Sequence, residues 1–151
     1  MSSKPIVRNI AADDLEQAIA LDSRITGQSR RGFYRKRFAA MQDSPKSFLW
    51  LVAIVDDRLA GFVSAHLLEG EYGGIAPSAV IDAVGVLPEL RGQGIAHALM
   101  EALEIQLKAR HMVEIDTEVG WNQHELVQFF AASGFQLAPS LVLEGAIFTD
   151  F

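Results

Sequence analysis

Apolar and polar positions fall into blocks of different period along the chain, and each block predicts an element. Residues 6–10 alternate and predict a short strand. Asp13 and Glu16 have capping-box spacing, and Leu15, Ala18, Ile19 and Asp22 follow at helical spacing, so a first helix is expected over about 13–23. Residues 26–29 read as a loop. Tyr34, Phe38 and Met41 recur at i, i+4, i+7 and predict a second helix over 31–42, which Ser44-Pro45-Lys46 stops. Two runs rich in β-formers, 48–55 and 59–68, flank Asp56-Asp57, the pattern of a hairpin. Gly70, Gly73, Gly74 and Pro77 make 69–78 a loop, and 79–86 is strand-like again until Pro88 breaks it.

From Gly92 the period changes. Ile95, Ala98, Leu99, Ala102, Leu103 and Leu107 form one apolar stripe, so a helix is expected to run to about Ala109. In 112–119, Val113, Ile115, Thr117 and Val119 alternate with Glu114, Asp116 and Glu118, which predicts a strand with one wet face. Residues 123–133 read as a helix with Gly134 as its C-cap, and 135–137 and 141–148 as closing strands. Strands thus arrive both as hairpins and as β-α-β crossovers. The fold class expected is α/β (α+β), a mixed sheet with helices on its faces. No linker or repeat interrupts the pattern, so residues 1–151 are expected to form a single domain. A domain this long buries roughly 70% of its unfolded surface.

Composition narrows the chemistry. The absence of cysteine removes disulfides, thiolate metal sites and a cysteine nucleophile. A formal net charge of -6 runs against a nucleic-acid partner and favours cationic partners such as amines. The basic cluster Arg30, Arg31, Arg35, Lys36 and Arg37 reads as a solvated helix face. The start of the chain has no apolar core of signal-peptide length, and the longest apolar run, 48–55, is too short to span a bilayer. A soluble cytoplasmic protein with no membrane partner is expected. His66, His97, His111 and His124 show no paired ligand spacing, so no metal is expected. Most of these histidines are expected at the surface or in the core, and Trp50 and Trp121 in packing roles.

The most informative stretch is Val84-Gly85-Val86-Leu87-Pro88-Glu89-Leu90-Arg91-Gly92-Gln93-Gly94-Ile95-Ala96. A strand ends, a proline follows, and a turn with two glycines opens a helix. The first helical turn has N–H groups without intrahelical partners, at the positive end of the macrodipole. Glycines let an anion approach that bare backbone, and Arg91 adds a full charge, so the turn suits a phosphate or pyrophosphate. A Walker A loop would need Gly-Lys-Ser/Thr, whereas Ile95 and Ala96 follow Gly94. A dinucleotide fingerprint counted from Gly92 would end on His97, a poor fit, although Glu114 lies at about the distance of a ribose contact.

Arg91-x-x-Gly94-x-Ala96, with the segment before it, resembles the signature of the Gcn5-related N-acetyltransferase (GNAT) superfamily. The segment from Glu118 through Asn122 to Phe130, ending in Gly134-Phe135, is similar to that family's second conserved block. The resemblance covers essentially the whole chain. It implies a mostly antiparallel sheet of about seven strands flanked by about four helices. It further implies that Arg91, Gly92, Gln93, Gly94, Ile95 and Ala96 hold the pyrophosphate of acetyl-coenzyme A, bound as cosubstrate. Val84 and Val86 would run beside the pantetheine arm where their strand splays from the strand at 112–119. Asn122 and Phe129 would flank the thiol end.

The activity implied is direct transfer of acetyl to a primary amine of a small molecule or a peptide. Only the neutral amine attacks a thioester, and an alkyl ammonium has a pKa of about 10.4, so a base is useful. Glu118 and Asp82 are the candidate bases, with His124 a further one. A tyrosine general acid is common in the family, but Phe130 stands there, which leaves Tyr34, Tyr72 or water as donor, or unassisted departure of the thiolate. A different function class, a non-catalytic acyl-coenzyme A sensor or interaction module, stays open on the same residue. A homodimer through an apolar edge at Leu141, Leu143, Ile147 and Phe148 is a further expectation.

Overall fold

A computed structural model describes residues 4–68, 77–117, 128, 130, 131 and 135. The chain divides into a unit of residues 1–118 and a second of 119–151. In the first, β1 (Ile6–Asn9), α1 (Leu15–Thr26), α2 (Arg31–Asp43), β2 (Phe48–Val55), β3 (Arg58–Leu68), β4 (Ser78–Val86), α3 (Ile95–Ala109) and β5 (Glu114–Thr117) follow in order. The five strands form one sheet in chain order, antiparallel throughout except for the parallel pair β4–β5. Five strands and three α-helices are thus seen among the described residues. Most of the fourth helix at 123–133, and the closing strands expected to bring the sheet to about seven, lie outside them. Within the second unit Gln128, Phe130 and Ala131 are helical, and the N–H of Phe135 donates to the Phe130 carbonyl at 2.9 Å.

Helices cover both faces of the sheet, which explains why β2 and β3 are apolar almost continuously instead of alternating. On one face α1 and α2 bring Ile19, Leu21, Tyr34 and Phe38 onto Trp50, Val52 and Phe62. The aromatic rings of this cluster meet at 5.4–6.5 Å, most of them edge-on or tilted, a favoured arrangement. On the other face α3 buries Ile95, Leu99, Met100, Leu103 and Leu107. Gly61 of β3 lets α3 come close: a Cβ there would lie 3.1 Å from Ile95 Cγ2 and 3.2 Å from Leu99 Cδ1.

Local signals hold in most places. The hairpin turns on Asp56 and Asp57, both with positive φ (50° and 63°), the conformation a two-residue type I′ turn requires. The capping expectation is corrected by two residues. Asp14, not Glu16, reaches back three residues, accepting from the Ala11 N–H at 2.8 Å at the 3-10 turn Ala12–Asp14, and Arg8 clasps the same carboxylate at 2.6 and 3.0 Å. Glu16 is drawn off to Arg31 instead. Helix α1 also runs on to Thr26, because the stop is Gly27 in the left-handed conformation, its N–H bonded to the Ser23 carbonyl at 2.8 Å.

The basic cluster is a solvated face, as expected, with Arg30, Arg31, Arg35 and Lys36 exposed, and most of it is also paired. Arg30 is bonded to the buried Asp22, Arg31 and Arg35 pair with Glu16, and Arg37 lies against Asp82. No helix among the described residues is long and apolar enough to cross a membrane.

Candidate active site

The turn after β4 is made of exposed backbone. One 3-10 turn, Pro88–Leu90, leads into Gly92 and Gly94, at φ 81° and 80°. A side chain in that left-handed conformation costs roughly 1–2 kcal/mol, which is why both positions call for glycine. Gly94 is the N-cap of α3, and the helix ladder begins with the Ala98 N–H donating to the Gly94 carbonyl at 3.0 Å. The N–H groups of Gly92, Gln93, Gly94, Ile95 and Ala96 therefore have no acceptor among the described residues. Arg91 through Gly94 are exposed, and a Cβ on either glycine would meet nothing within 4 Å. An anion can reach these amides at the positive end of a 15-residue helix. Ile95 turns the other way, 3% exposed, and pins the turn to the sheet at Gly61.

Two contacts hold the approach to the turn. The register of β2 and β3 slips after Ala53, leaving Ala60 as a surplus residue, and its carbonyl accepts the Leu87 N–H at 2.8 Å. Glu89 receives Arg24 at the end of α1 (3.0 and 2.8 Å) and Arg58 at the start of β3 (2.6 Å). The Arg24 hydrogen bond is the largest of the causes that hold the Glu89 carboxyl down to about 2.

Beside the turn runs a strand edge that has no partner among the described residues. The β4–β5 ladder pairs Ser78 with Glu114 and runs to Ile81 with Thr117. Strand β4 continues through Asp82, Ala83, Val84, Gly85 and Val86 with no partner on that side among the described residues. Val84 and Val86 are half-buried and pair on the other side with Val63 and Gly61. Such an edge can pair with an extended chain of amides.

Asp82 follows the last pair of the ladder among the described residues, Ile81 with Thr117. Ser64 pairs with Ala83 and Ala65 with Ile81, so Asp82 is the surplus residue of a bulge, a feature that re-aims a side chain. Its Oδ1 accepts from His66 Nδ1 at 2.8 Å, and its Oδ2 lies 3.6 Å from the Arg37 guanidinium. Arg37 is held there over the rings of Phe33 and Phe48, at 5.4 and 5.2 Å.

Of the residues singled out from the sequence, the structure brings 91–96 together as one turn and sets Val84, Val86 and Asp82 on the strand leading to it. Glu118, Asn122 and Phe129, with Tyr72, Trp121 and His124, lie outside the described residues. Tyr34 is corrected as a proton donor. It is 1% exposed, with Arg30 donating to its hydroxyl at 3.3 Å, and burial pushes that hydroxyl well above its usual range. Phe130 is buried with its ring 5.0 Å from that of Phe135. Trp50 packs, as expected, at 2% exposure.

Sequence reasoning missed His66, Arg37 and Glu89. The available signal for His66 was its place two residues after Ser64 in a strand otherwise apolar from Leu59 to Leu67.

Solved structures share this architecture. An aminoglycoside N-acetyltransferase in complex with the bisubstrate analogue CoA-S-monomethyl-acetylneamine is 16% identical, with 96% of this chain and 99% of that chain covered and a TM-score of 0.82. An aminoglycoside 6'-N-acetyltransferase from Acinetobacter baumannii is 20% identical over 95% and 99% of the two chains, with a TM-score of 0.80. Glucosamine-6-phosphate N-acetyltransferase from Arabidopsis thaliana is 15% identical over 98% and 100%, with a TM-score of 0.73. At these identities the likeness is one of fold. The sequence itself matches the acetyltransferase (GNAT) family over residues 12–135, a span that takes in the bulge at Asp82, the edge of β4 and the glycine turn, and the chain belongs to that family.

Proposed function

We propose that this N-acetyltransferase moves the acetyl group of acetyl-coenzyme A onto a primary amine of a small molecule by direct attack, with both substrates bound at once. The observation that carries the reading is the set of amides at 92–96 without an acceptor among the described residues, next to a strand edge without a partner among them. Arg91, Gly92, Gln93, Gly94, Ile95 and Ala96 hold the pyrophosphate, mostly through main-chain N–H groups. The pantetheine arm pairs along Val84 and Val86 as an added strand. That path sets the thioester near Asp82, beyond the pair Ile81–Thr117 of the ladder to β5. Free main-chain N–H groups of this stretch are suited to stabilise the oxyanion of the tetrahedral intermediate.

Asp82 and Glu118 are the carboxylates proposed to serve amine deprotonation, and Asn122 and Phe129 to flank the thiol; for Glu118, Asn122 and Phe129 the support is the sequence resemblance alone. The net charge of -6 and the aminoglycoside acetyltransferases among the similar structures favour a cationic acceptor with several amines. Residues 1–151 act as one catalytic domain in this reading.

The test is thiol release from acetyl-coenzyme A across a panel of aminoglycosides, amino sugars, polyamines and peptide N-termini. Amine-dependent release with at least one class is expected. Stabilisation by coenzyme A without release on any amine would refute transfer and leave a binding module.

A further inference from the structure

The bulge that displaces Asp82 does more than interrupt a ladder. It delivers a carboxylate to His66, and the imidazole is the more accessible of the two, with side chains 30% and 13% exposed. A carboxylate accepts hydrogen bonds and cannot donate them, so the Nδ1 of His66 carries the proton of the 2.8 Å bond. That tautomer leaves the lone pair on Nε2, and Nε2 has no partner among the described residues. The other carboxylate oxygen, Oδ2, lies 3.6 Å from the Arg37 guanidinium and is buried without a hydrogen-bond partner among the described residues, so burial keeps it from reaching a substrate directly.

The same face is polar beneath. Trp50 and Ser64 are opposite each other on β2 and β3, each 2% exposed, and neither Trp50 Nε1 nor Ser64 Oγ has a hydrogen-bond partner among the described residues. Ser64 is two residues from His66, so both side chains leave the sheet on one side. Buried polar atoms left unpaired cost roughly 1–3 kcal/mol each, so this face is more polar below His66 than the apolar strands around it suggest.

We propose that His66 Nε2 accepts the proton of the acceptor amine and that Asp82 is a positioning residue, holding the imidazole in the tautomer that makes this work. The inference rests on the acetyl-transfer reading above and adds to it a base that neither the sequence nor the family match indicates. In the step, an ammonium proton passes to Nε2 and the freed nitrogen lone pair attacks the thioester carbonyl carbon. The tetrahedral intermediate collapses as the C–S bond breaks, and the sulfur leaves with the bonding pair. The nitrogen's remaining surplus proton goes to that thiolate, and the imidazolium returns its proton to solvent. Atoms and charge balance, and no other reactant is needed.

Among the described residues the charged groups around His66 include Asp116 of β5, which is on the same face of the sheet because His66 pairs with Val80 and Val80 with Asp116. Asp82 comes from β4 and Arg37 from α2. At the sheet end beside Phe48, Arg110 is taken up by the carbonyls of Pro45, Lys46 and Phe48, with Lys46 exposed in the intervening turn.

The experiment measures kcat and KM for the best amine against pH in the wild type, His66→Gln and His66→Ala, with thermal unfolding and the coenzyme A-induced shift as checks on the fold. Loss of a positioned base is expected to lower kcat about 10²–10⁴-fold, with the coenzyme A shift unchanged. The rate of either variant should climb with pH where the wild-type rate is level, and added imidazole should restore part of the His66→Ala rate. Asp82→Asn should lower kcat with little change in the KM for coenzyme A. A His66→Gln kcat within about threefold of wild type with the same pH profile would overturn the assignment while leaving acetyl transfer standing. A His66→Ala loss that imidazole does not relieve and that leaves the pH profile unmoved would also overturn it. Wild-type protein that stabilises on coenzyme A but acetylates no amine would instead sink the transfer reading, and this inference with it.

Discussion

Replacing Gly94 with valine separates the ligand role of the turn from its structural one. Gly94 sits at φ 80°, where a β-branched residue is strained, and a left-handed conformation costs roughly 1–2 kcal/mol. A Cβ there meets no protein atom within 4 Å, so no packing cost adds to the strain. For a chain of about 150 residues each kcal/mol shifts Tm by about 2–4 °C, so the unliganded variant should melt about 2–8 °C lower and still cooperatively. The empty space beside Gly94 is the space from which a diphosphate would reach the amides of 92–96. Coenzyme A at about 100 times its dissociation constant stabilises the wild type by about 2.7 kcal/mol, a rise of about 5–11 °C. In Gly94→Val the branched side chain occupies that approach, and the rise should fall to near zero. Gly94→Ala carries similar strain with less bulk and should keep an intermediate shift. The assay is thermal unfolding with coenzyme A and, as a control expected to do little, NAD. A full coenzyme A shift in Gly94→Val would refute the placement of the cradle. A collapse of the unliganded fold would refute the claim that the turn is open.

Two further substitutions test the scaffold around the site. In Gly61→Ala the new Cβ would stand 2.9 Å from the Gly85 carbonyl oxygen, a backbone atom with no rotamer to escape into, and it would press on Ile95 and Leu99. Overpacking of this kind costs roughly 1–3 kcal/mol, so a lowered Tm and weaker coenzyme A binding are expected through the displaced start of α3; an unchanged Tm would contradict the contact. In Asp14→Asn the lost partner is Arg8, whose hydrogen bond is the main reason the Asp14 carboxyl titrates below its usual range. A carboxyl depressed on folding stabilises above its unfolded pKa of about 3.9. That contribution is lost as the pH falls through the lower folded value, because the unfolded chain then binds more protons. Urea unfolding should therefore show the wild type ahead near neutrality by roughly 1 kcal/mol, a modest figure because the Arg8 side chain is 45% exposed. The gap should narrow as the pH falls below the unfolded value and close as it passes through the lower folded one, and a constant gap across the acid range would refute the linkage.

The parts of this protein that the sequence shows are those in which the backbone itself is constrained. A 3.6-residue stripe places α3 and even its end at Ala109, because every residue of the stripe faces the same surface. Asp56-Asp57 marks the hairpin and the paired glycines mark the anion turn, since few residues tolerate positive φ. What stays hidden depends on which strands meet and in what register. Asp82 is legible as an acid on a strand, but its partners follow from a one-residue slip against β3 that no property of residues 78–86 encodes. The same applies to the 3-10 turn before α1: spacing alone favours Asp13 with Glu16, whereas Asp14, clasped by Arg8 of β1, accepts from the Ala11 N–H.

This asymmetry has a chemical counterpart. In the proposed reading a diphosphate is held by main-chain amides with room to approach them, so the glycines at 92 and 94 mark the place in the sequence. Moving a proton requires a side chain whose two nitrogens are put to different uses, and that division is made by a neighbour sixteen residues away in the chain. Acceptor specificity should follow the second kind of determinant. It should therefore change by substitutions on the α2-facing side of β3 and β4, around Arg37, Ser64, His66 and Asp82, while the glycine turn stays as it is.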